Sequence, residues 1–427
     1  MILLLPLSLA CVASRSDPSS SDTVGLGSPA LESSPLETVP PDTGPTPQTA
    51  PGLADLECAE APPAVGKVVC TLTITDRDGT VEWAGPAGVG LHGRSSMDFP
   101  KKQFVVALQD AGGAEVQANL YGMGKGSDWI LNGMYIDRAL FRNRLGFDLY
   151  RLLTGDREWA PQSMYVELTY GGQYWGVYLL EERVQHSKYR VPVPDDDGTG
   201  TNFIVRADES GIPSALQYGS WDIIYPGSSN QTAAVVAGVT ARMGAAETAI
   251  AAEDASTWSQ VDLDSAAAFV LLEELFKNND GYYLSHHLYT ASDGLLHFVP
   301  WDLDLTLGQP NYNDNENPHS WILYRPAFIA DLGAAPGFSD RLSSMWSEWR
   351  AGAISDANMD VELAANPAFL GDAATRNFDR WPIADVQWQG YLYTVTSYDD
   401  ELARVATFVH ARLTWMDAHV ATWASGP

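Results

Sequence analysis

Basic residues are scarce in this chain: 25 Lys and Arg stand against 54 Asp and Glu, a formal net charge of −29 over 427 residues. Nucleic-acid binding runs on cations that displace counterions from phosphate, so a charge this negative excludes a general nucleic-acid binder. Cysteine is nearly absent, at three residues. No HExxH, Walker A or GxSxG pattern occurs, and Gly124-Lys125-Gly126 only imitates a phosphate loop, which removes the zincin, P-loop and lipase chemistries. The apolar run Ile2 to Ala10 is too short to span a bilayer. What the chain does have is 45% hydrophobic and 11% aromatic content, with 14 Trp. That is enough for one large domain or two lobes with a substantial core.

The short apolar run ends in Ser8-Leu9-Ala10-Cys11, which reads as an export signal over residues 1–11. Cys after Ala resembles a bacterial lipoprotein cleavage site, with Cys11 as the lipidated residue. The expected location is extracytoplasmic, secreted or lipid-anchored to the bacterial cell envelope, with membrane contact only through that anchor. Cys58 and Cys70 are then left as a natural pair, and an oxidising compartment lets them close a small loop; the alternative is two unpaired thiols. Residues 12–57 are rich in Ser, Pro, Thr and Gly and almost free of aromatics. They cannot bury enough apolar surface to offset their ordering entropy, so they read as a disordered tether. The folded domain is expected over 58–427.

Within that domain, Val68 to Thr75 has strand character, and Lys102 to Leu108 alternates as a strand, with Asp110-Ala111-Gly112-Gly113 as a turn and a partner from Glu115. The spacing of Leu140, Phe141, Leu145, Leu149 and Leu152 predicts a helix over Asp137 to Leu153. Met164 to Tyr170 and Gln173 to Leu180 form a hairpin around Gly171-Gly172. From Thr232 onward Ala-rich runs favour helix, notably Asp264 to Phe276 and Glu401 to Trp423. Strands first and helices second predict an α+β fold of two lobes, a sheet-rich N-lobe at about 58–182 and a helix-rich C-lobe at about 183–427.

The strongest chemical signal lies between Lys277 and Gly308. A helix ends into Asn278-Asn279-Asp280-Gly281, two strands follow around Ser292-Asp293-Gly294, and the second runs into Pro300-Trp301-Asp302-Leu303-Asp304. Antiparallel pairing brings Asp280 and Asp302 to one edge of the hairpin, and two carboxylates there suit a divalent metal or a base beside one. Protein kinases place a catalytic Asp before a short hairpin and a metal-binding Asp just after it, although neither HRD nor DFG is present here.

This run, with its Asn-Asn-Asp, Tyr289 and Pro-Trp-Asp-Leu-Asp, resembles the spore-coat protein H (CotH) kinase family. Gly93-Arg94-Ser95-Ser96 followed by Phe99-Pro100-Lys101-Lys102 resembles the family's Ser-Ser loop and Pro-Lys-Lys strand. Trp129 to Arg144 resembles its first long helix, and Tyr174 to Glu182 its Gly-Val-Tyr strand. His410 to Val420 resembles its closing helix, so the likeness runs in order from 68 to 422. The resemblance implies an atypical secreted kinase that phosphorylates Ser or Thr of a protein substrate with ATP and Mg²⁺ or Mn²⁺. It implies Asp280 as catalytic base, Asp302 as main metal ligand and Asp304 as a lesser one. Lys102, with Arg94, Ser95 and Ser96 of the loop, is implied at the phosphates, and Glu182 near the adenine. Where the family carries Asn as a second metal ligand, this chain has His287, or Ser285 in a shifted register; imidazole suits softer metals.

Each residue also has a plainer reading. Asp280 serves as a turn residue, Asp302 as a helix cap, and Lys102 as a solvated strand residue. Asp195-Asp196-Asp197-Gly198 and Asn313 to Asn317 read as solvated loops, since neither fits an EF-hand. Two other functions compete with the kinase: an inactive kinase-fold surface adhesin or assembly scaffold, and a glycosyltransferase holding a sugar nucleotide through Asp302-Leu303-Asp304.

Overall fold

The computed structural model describes residues 49–426 apart from 218, 311–313, 385 and 389–390. The readings of an export signal over 1–11 and of lipidation at Cys11 lie outside these residues, as does most of the tether.

The chain opens with β1 (Gly52–Cys58), β2 (Val68–Thr75), β3 (Val81–Leu91) and β4 (Phe104–Leu108). A ribbon of two short strands follows, β5 (Ala118–Asn119) and β6 (Lys125–Gly126). Next come β7 (Asp128–Asn132), α1 (Arg142–Thr154), β8 (Ser163–Tyr170) and β9 (Gln173–Glu182). Seven of these strands close a barrel in the order β1-β2-β3-β4-β7-β9-β8, sealed by parallel pairing of β1 with β8. Closure removes the exposed edges that an open sheet would present. Strand alternation turns Leu56, Leu72, Ile74, Val89, Phe104, Val106, Trp129 and Leu180 inward to fill the barrel.

Three expectations, on residues 52–57, on the start of α1 and on Glu115, are corrected here. Residues 52–57, assigned to the tether, are β1; Ala54 and Leu56 are buried inside the barrel, and that burial offsets the ordering entropy. Cys58 lies opposite Cys70 on β2, and the two are joined by a disulfide. The helix predicted from Asp137 starts only at Arg142, because Met134 and Leu140 sit at positive φ (48° and 63°) in an irregular connection from β7. Beyond β4 there is no partner strand at 115: β4 pairs with β3 and β7, and Glu115 makes a single bridge to Gln109.

The second half carries β10 (Ile204–Asp208), β11 (Ile212–Pro213), β12 (Ser220–Tyr225), α2 (Ala233–Ala251), α3 (Leu263–Phe276), β13 (His286–Thr290) and β14 (Leu296–Pro300). These strands form a sheet in the order β11-β12-β10-β13-β14. The chain then runs through α4 (Ala327–Ala334), α5 (Phe338–Ala351), α6 (Asp356–Leu370) and α7 (Asp372–Arg380). A small ribbon of β15 (Val386–Trp388) and β16 (Tyr391–Tyr393) precedes α8 (Tyr398–His419). The class is α+β, as the composition of the two halves predicts. Helix α3 is buried at every position from Ser265 to Phe276 and is the axis of the larger core, against α1, α5, α8 and β14. Outside the barrel, α6 and α7 cover β8 and β9 through Leu370, Ala373 and Ala374 on Tyr165, Val177 and Leu179. That is why most of β8 and β9 is buried on both faces. Among the described residues no helix is long and apolar enough to cross a membrane.

Candidate functional site

Helix α3 is capped at its start by Asp262, whose side chain accepts from Ser265 N, and stops at Lys277 in the left-handed conformation (φ 53°). The buried Lys277 ammonium then donates to Asp314 O, Asn317 O and Ser320 Oγ, which ties the 314–320 segment to the end of α3. A tight turn follows. The Asp280 carbonyl accepts from the amides of Tyr283, Leu284 and Ser285, and the Tyr283 hydroxyl donates to Asp280 Oδ1 at 3.0 Å. Gly281 is required by close approach: a Cβ there would run into the Glu273 carboxyl, with its Cδ 2.5 Å away. Past the turn, β13 pairs with β14 from His286 opposite Pro300, and Trp301 N donates to Ser285 O. This pairing carries Asp302 back to Asp280.

Asp302 sits at positive φ (58°), a strained backbone of the kind found where a side chain must be aimed. Two contacts from α1 hold it: Leu303 N donates to Asn143 Oδ1 at 2.6 Å, and Leu303 packs on Gly146, where no larger residue fits. Asn278 Nδ2 lies 3.4 Å from Asp302 O on the other side.

Asp280, Asp302 and Asp304 line one cleft with Gly93, Arg94, Ser95, Ser96, Gln103, Asn132, Asn143, Phe147, Glu181 and Trp301. The loop after β3 turns at Gly93 (φ 100°) into the short helical turn at Ser95–Asp98 and roofs this cleft. Arg94 reaches across to Asp208 at 2.5 Å and Glu209 at 3.3 Å. The cleft floor is the barrel's outer face, where Glu181 lies opposite Ile130 and Asn132 opposite Leu179.

The acidity is concentrated. Desolvation and then the charge of Asp280 raise Asp302 to about 6, and a hydrogen bond with Asp304 works against the rise. Burial and then Asp302 push Asp304 well up. Glu181 is raised to about 8 by burial; a hydrogen bond from Asn132 works against this and the charge of Asp302 adds to it. Such mutually opposed oxygen donors fit a hard divalent cation, which would relieve their repulsion. Asp302 and Asp304 are placed to hold one.

Three residues expected at this site are elsewhere. Lys102 precedes β4 and donates to Met97 O at 2.5 Å, outside the cleft lining. Its neighbour Lys101 is buried and donates to Val177 O and Asn377 Oδ1. Glu182 turns to the barrel interior, where its carboxyl accepts from Gln162 N and lies 3.7 Å from Arg190; the cleft-facing residue is Glu181. A bulge causes the exchange. Leu168 pairs with Gly176 and Thr169 with Tyr174, so Trp175 is an extra residue in β9 and the alternation beyond it is inverted. His287, opposite Val299 and Arg206, faces a separate apolar cluster with Trp301 packed edge-on at 5.9 Å. Burial, then Arg206, His286 and Arg183, hold its pKa far down. Neither His287 nor Ser285 lines the cleft. Asn143 carried no assigned role; its signal was the Arg142-Asn143 pair at the start of α1.

Elsewhere, Glu158, Asp262 and His297 bring donor atoms within 4.8 Å of one another. His297 Nδ1 lies 3.1 Å from both Glu158 oxygens and Nε2 3.3 Å from Asp293. Burial opposes the His297 charge, but Glu158, Asp262 and Asp293 raise it to about 9. The imidazolium therefore already supplies a positive charge to this cluster.

No curated protein matches the chain. The family model for the CotH kinase protein matches residues 89–416, from the end of β3 to the last turns of α8. That match takes in the roof loop, α1, both hairpins and the carboxylate cleft, and on this evidence the chain belongs to the CotH kinase family.

Proposed function

We propose that this protein transfers the γ-phosphoryl group of ATP to a Ser or Thr hydroxyl of an exported or cell-surface protein. The observation that carries the reading is the meeting of Asp280, Asp302 and Asp304 in one cleft under the Gly93–Ser96 loop. We read the barrel and the helical half as the two lobes of an atypical kinase, with the nucleotide between them.

In this reading the acceptor hydroxyl oxygen attacks the γ-phosphorus, the bond to the β–γ bridging oxygen breaks, and ADP leaves. Asp280, steadied by Tyr283, takes the hydroxyl proton. Asp302 and Asp304 would hold Mg²⁺ or Mn²⁺, which would supply positive charge against the phosphates. Ser95, Ser96 and the backbone around Gly93 cradle the phosphates, and Arg94 is the cation of the lining. Incubating the purified protein with labelled ATP and Mn²⁺ or Mg²⁺ tests this. Transfer to protein acceptors is expected and should vanish in Asp280→Ala; undiminished transfer in that variant removes the assignment.

One observation favours a second reading, a kinase-fold scaffold or adhesin without turnover: no lysine lines the cleft among the described residues. Absence of thermal stabilisation by ATP with Mg²⁺ would favour the scaffold.

A further inference from the structure

We infer that Glu181, on the barrel side of the cleft, is a ligand of the divalent cation, completing with Asp302 and Asp304 a site built from both halves of the molecule. The inference rests on the cation-dependent reading above and adds a donor that neither the hairpin motif nor the family likeness supplies.

Glu181 is only 2% exposed, yet it lines the cleft and its Oε2 has no hydrogen-bond partner. A buried carboxylate oxygen left without a partner is costly, and native proteins nearly always satisfy such groups. The rest of the side chain is deliberately held. Asn132 Oδ1 accepts from Met134 N at 2.9 Å, which turns its amide nitrogen toward Glu181 Oε1 at 3.4 Å. One oxygen is thereby oriented from behind and the other is left for the cleft, the pattern by which supporting residues aim a metal ligand.

Among the described residues no cation offsets its charge. The charged residues lining the cleft are Glu181, Asp280, Asp302 and Asp304 against Arg94, and the Arg94 guanidinium is engaged by Asp208 and Glu209. Four carboxyl groups thus share the cleft with one guanidinium that is already paired. The donors of Glu181, Asp302 and Asp304 are all oxygens, which suit Mg²⁺ or Mn²⁺ better than softer metals. With a ligand on β9 and two after β14, the cation would also tie the barrel to the helical half.

The test is Mn²⁺ binding to the full-length protein by titration calorimetry, with Mn²⁺-induced thermal stabilisation as a second readout, on wild type, Glu181→Gln and Asp302→Asn. Glu181→Gln should weaken Mn²⁺ binding at least tenfold and shrink the thermal shift, while its metal-free melting temperature stays at or above that of wild type. Wild-type Mn²⁺ affinity in Glu181→Gln, with binding lost in Asp302→Asn, overturns the inference and leaves the cation reading intact. Failure of the wild type to bind Mn²⁺ overturns both. If Glu181→Gln does not fold, Glu181→Asp, which keeps the charge but withdraws it by one methylene, should show the same weakening; unchanged affinity there also overturns the inference.

Discussion

Replacing Gly281 with alanine probes the seat of the turn that carries Asp280. The new Cβ would overlap Glu273 Oε2, with Glu273 Cδ at 2.5 Å and Asn278 Nδ2 at 3.1 Å. Carbon atoms in contact settle at about 3.5–4.0 Å, so the Glu273 carboxyl must retreat by roughly 1–1.5 Å. A side chain with a free end would do so cheaply. Glu273 is completely buried on α3, and close-packed interiors have no such slack. Overpacking of this kind costs about 1–3 kcal/mol. The expected outcome is a lowered denaturation midpoint at unchanged slope, with phosphoryl transfer reduced on the order of a hundredfold if Asp280 moves by an ångström.

Glu273 also offers the control. Burial holds its pKa far above the usual range, against a side-chain hydrogen bond from Asn278. Glu273→Ala removes the obstacle, so Gly281→Ala/Glu273→Ala should be more stable than the sum of the single changes by about 1–3 kcal/mol. Strict additivity of the two, or a Gly281→Ala variant with the wild-type midpoint, would refute the close packing beneath the turn.

Three further outcomes follow from the geometry. His297 has its pKa raised to about 9 by Glu158, Asp262 and Asp293 against its burial. Its contribution, on the order of 3 kcal/mol, is fully present below about pH 6.5 and is lost as pH rises through about 9. Stability measured from pH 6 to 10 should fall across that window, and His297→Gln should flatten the fall. Cys58 and Cys70 are 12 residues apart, so Cys58→Ala/Cys70→Ala releases a short loop and should cost about 3 kcal/mol in denaturant unfolding, matched by wild type under reductant. Arg142 is fully buried between Asp137 (2.5 Å) and Glu401 (2.7 Å) and joins α1 to α8. Arg142→Ala removes the guanidinium that both carboxylates share, so a loss of about 3–5 kcal/mol is expected; a loss below 1 kcal/mol would show that the pair is balanced elsewhere.

Much of the site was legible because its chemistry is local. The end of α3, the Asp293-Gly294 turn and the two strands around it lie within 32 residues, and antiparallel pairing alone brings Asp280 and Asp302 together. What escaped was non-local. β1 belongs to the barrel through its pairing with β8, more than a hundred residues away, and nothing in Gly52–Cys58 announces that partner. The helix over 137–141 failed for a similar reason. Leu140 and Phe141 have helical spacing, but they are buried from an irregular connection that must carry the chain from β7 on the barrel to α1 in the other core.

The exchange of Glu181 for Glu182 at the cleft has its physical origin in the bulge of β9. A hairpin counted without interruption from Gly171-Gly172 sets Leu168 opposite Trp175 and sends Glu182 outward. The extra residue at Trp175 inverts every position beyond it, so Glu181 meets the cleft and Glu182 the barrel interior. The bulge must also be satisfied. Asn377 of α7 accepts from Val177 N at 3.1 Å, and Lys101 donates to both Val177 O and Asn377 Oδ1. The Pro-Lys-Lys segment therefore spends its buried lysine on the bulge, not on phosphate. Gly176 at φ 109° is the residue that permits it, since a side chain there would be strained and would press on Asn377 at 2.6 Å. A single inserted residue thus links α7, Lys101 and the carboxylate that faces the cleft. Such a link depends on register, which local periodicity cannot fix once a strand is buried on both faces.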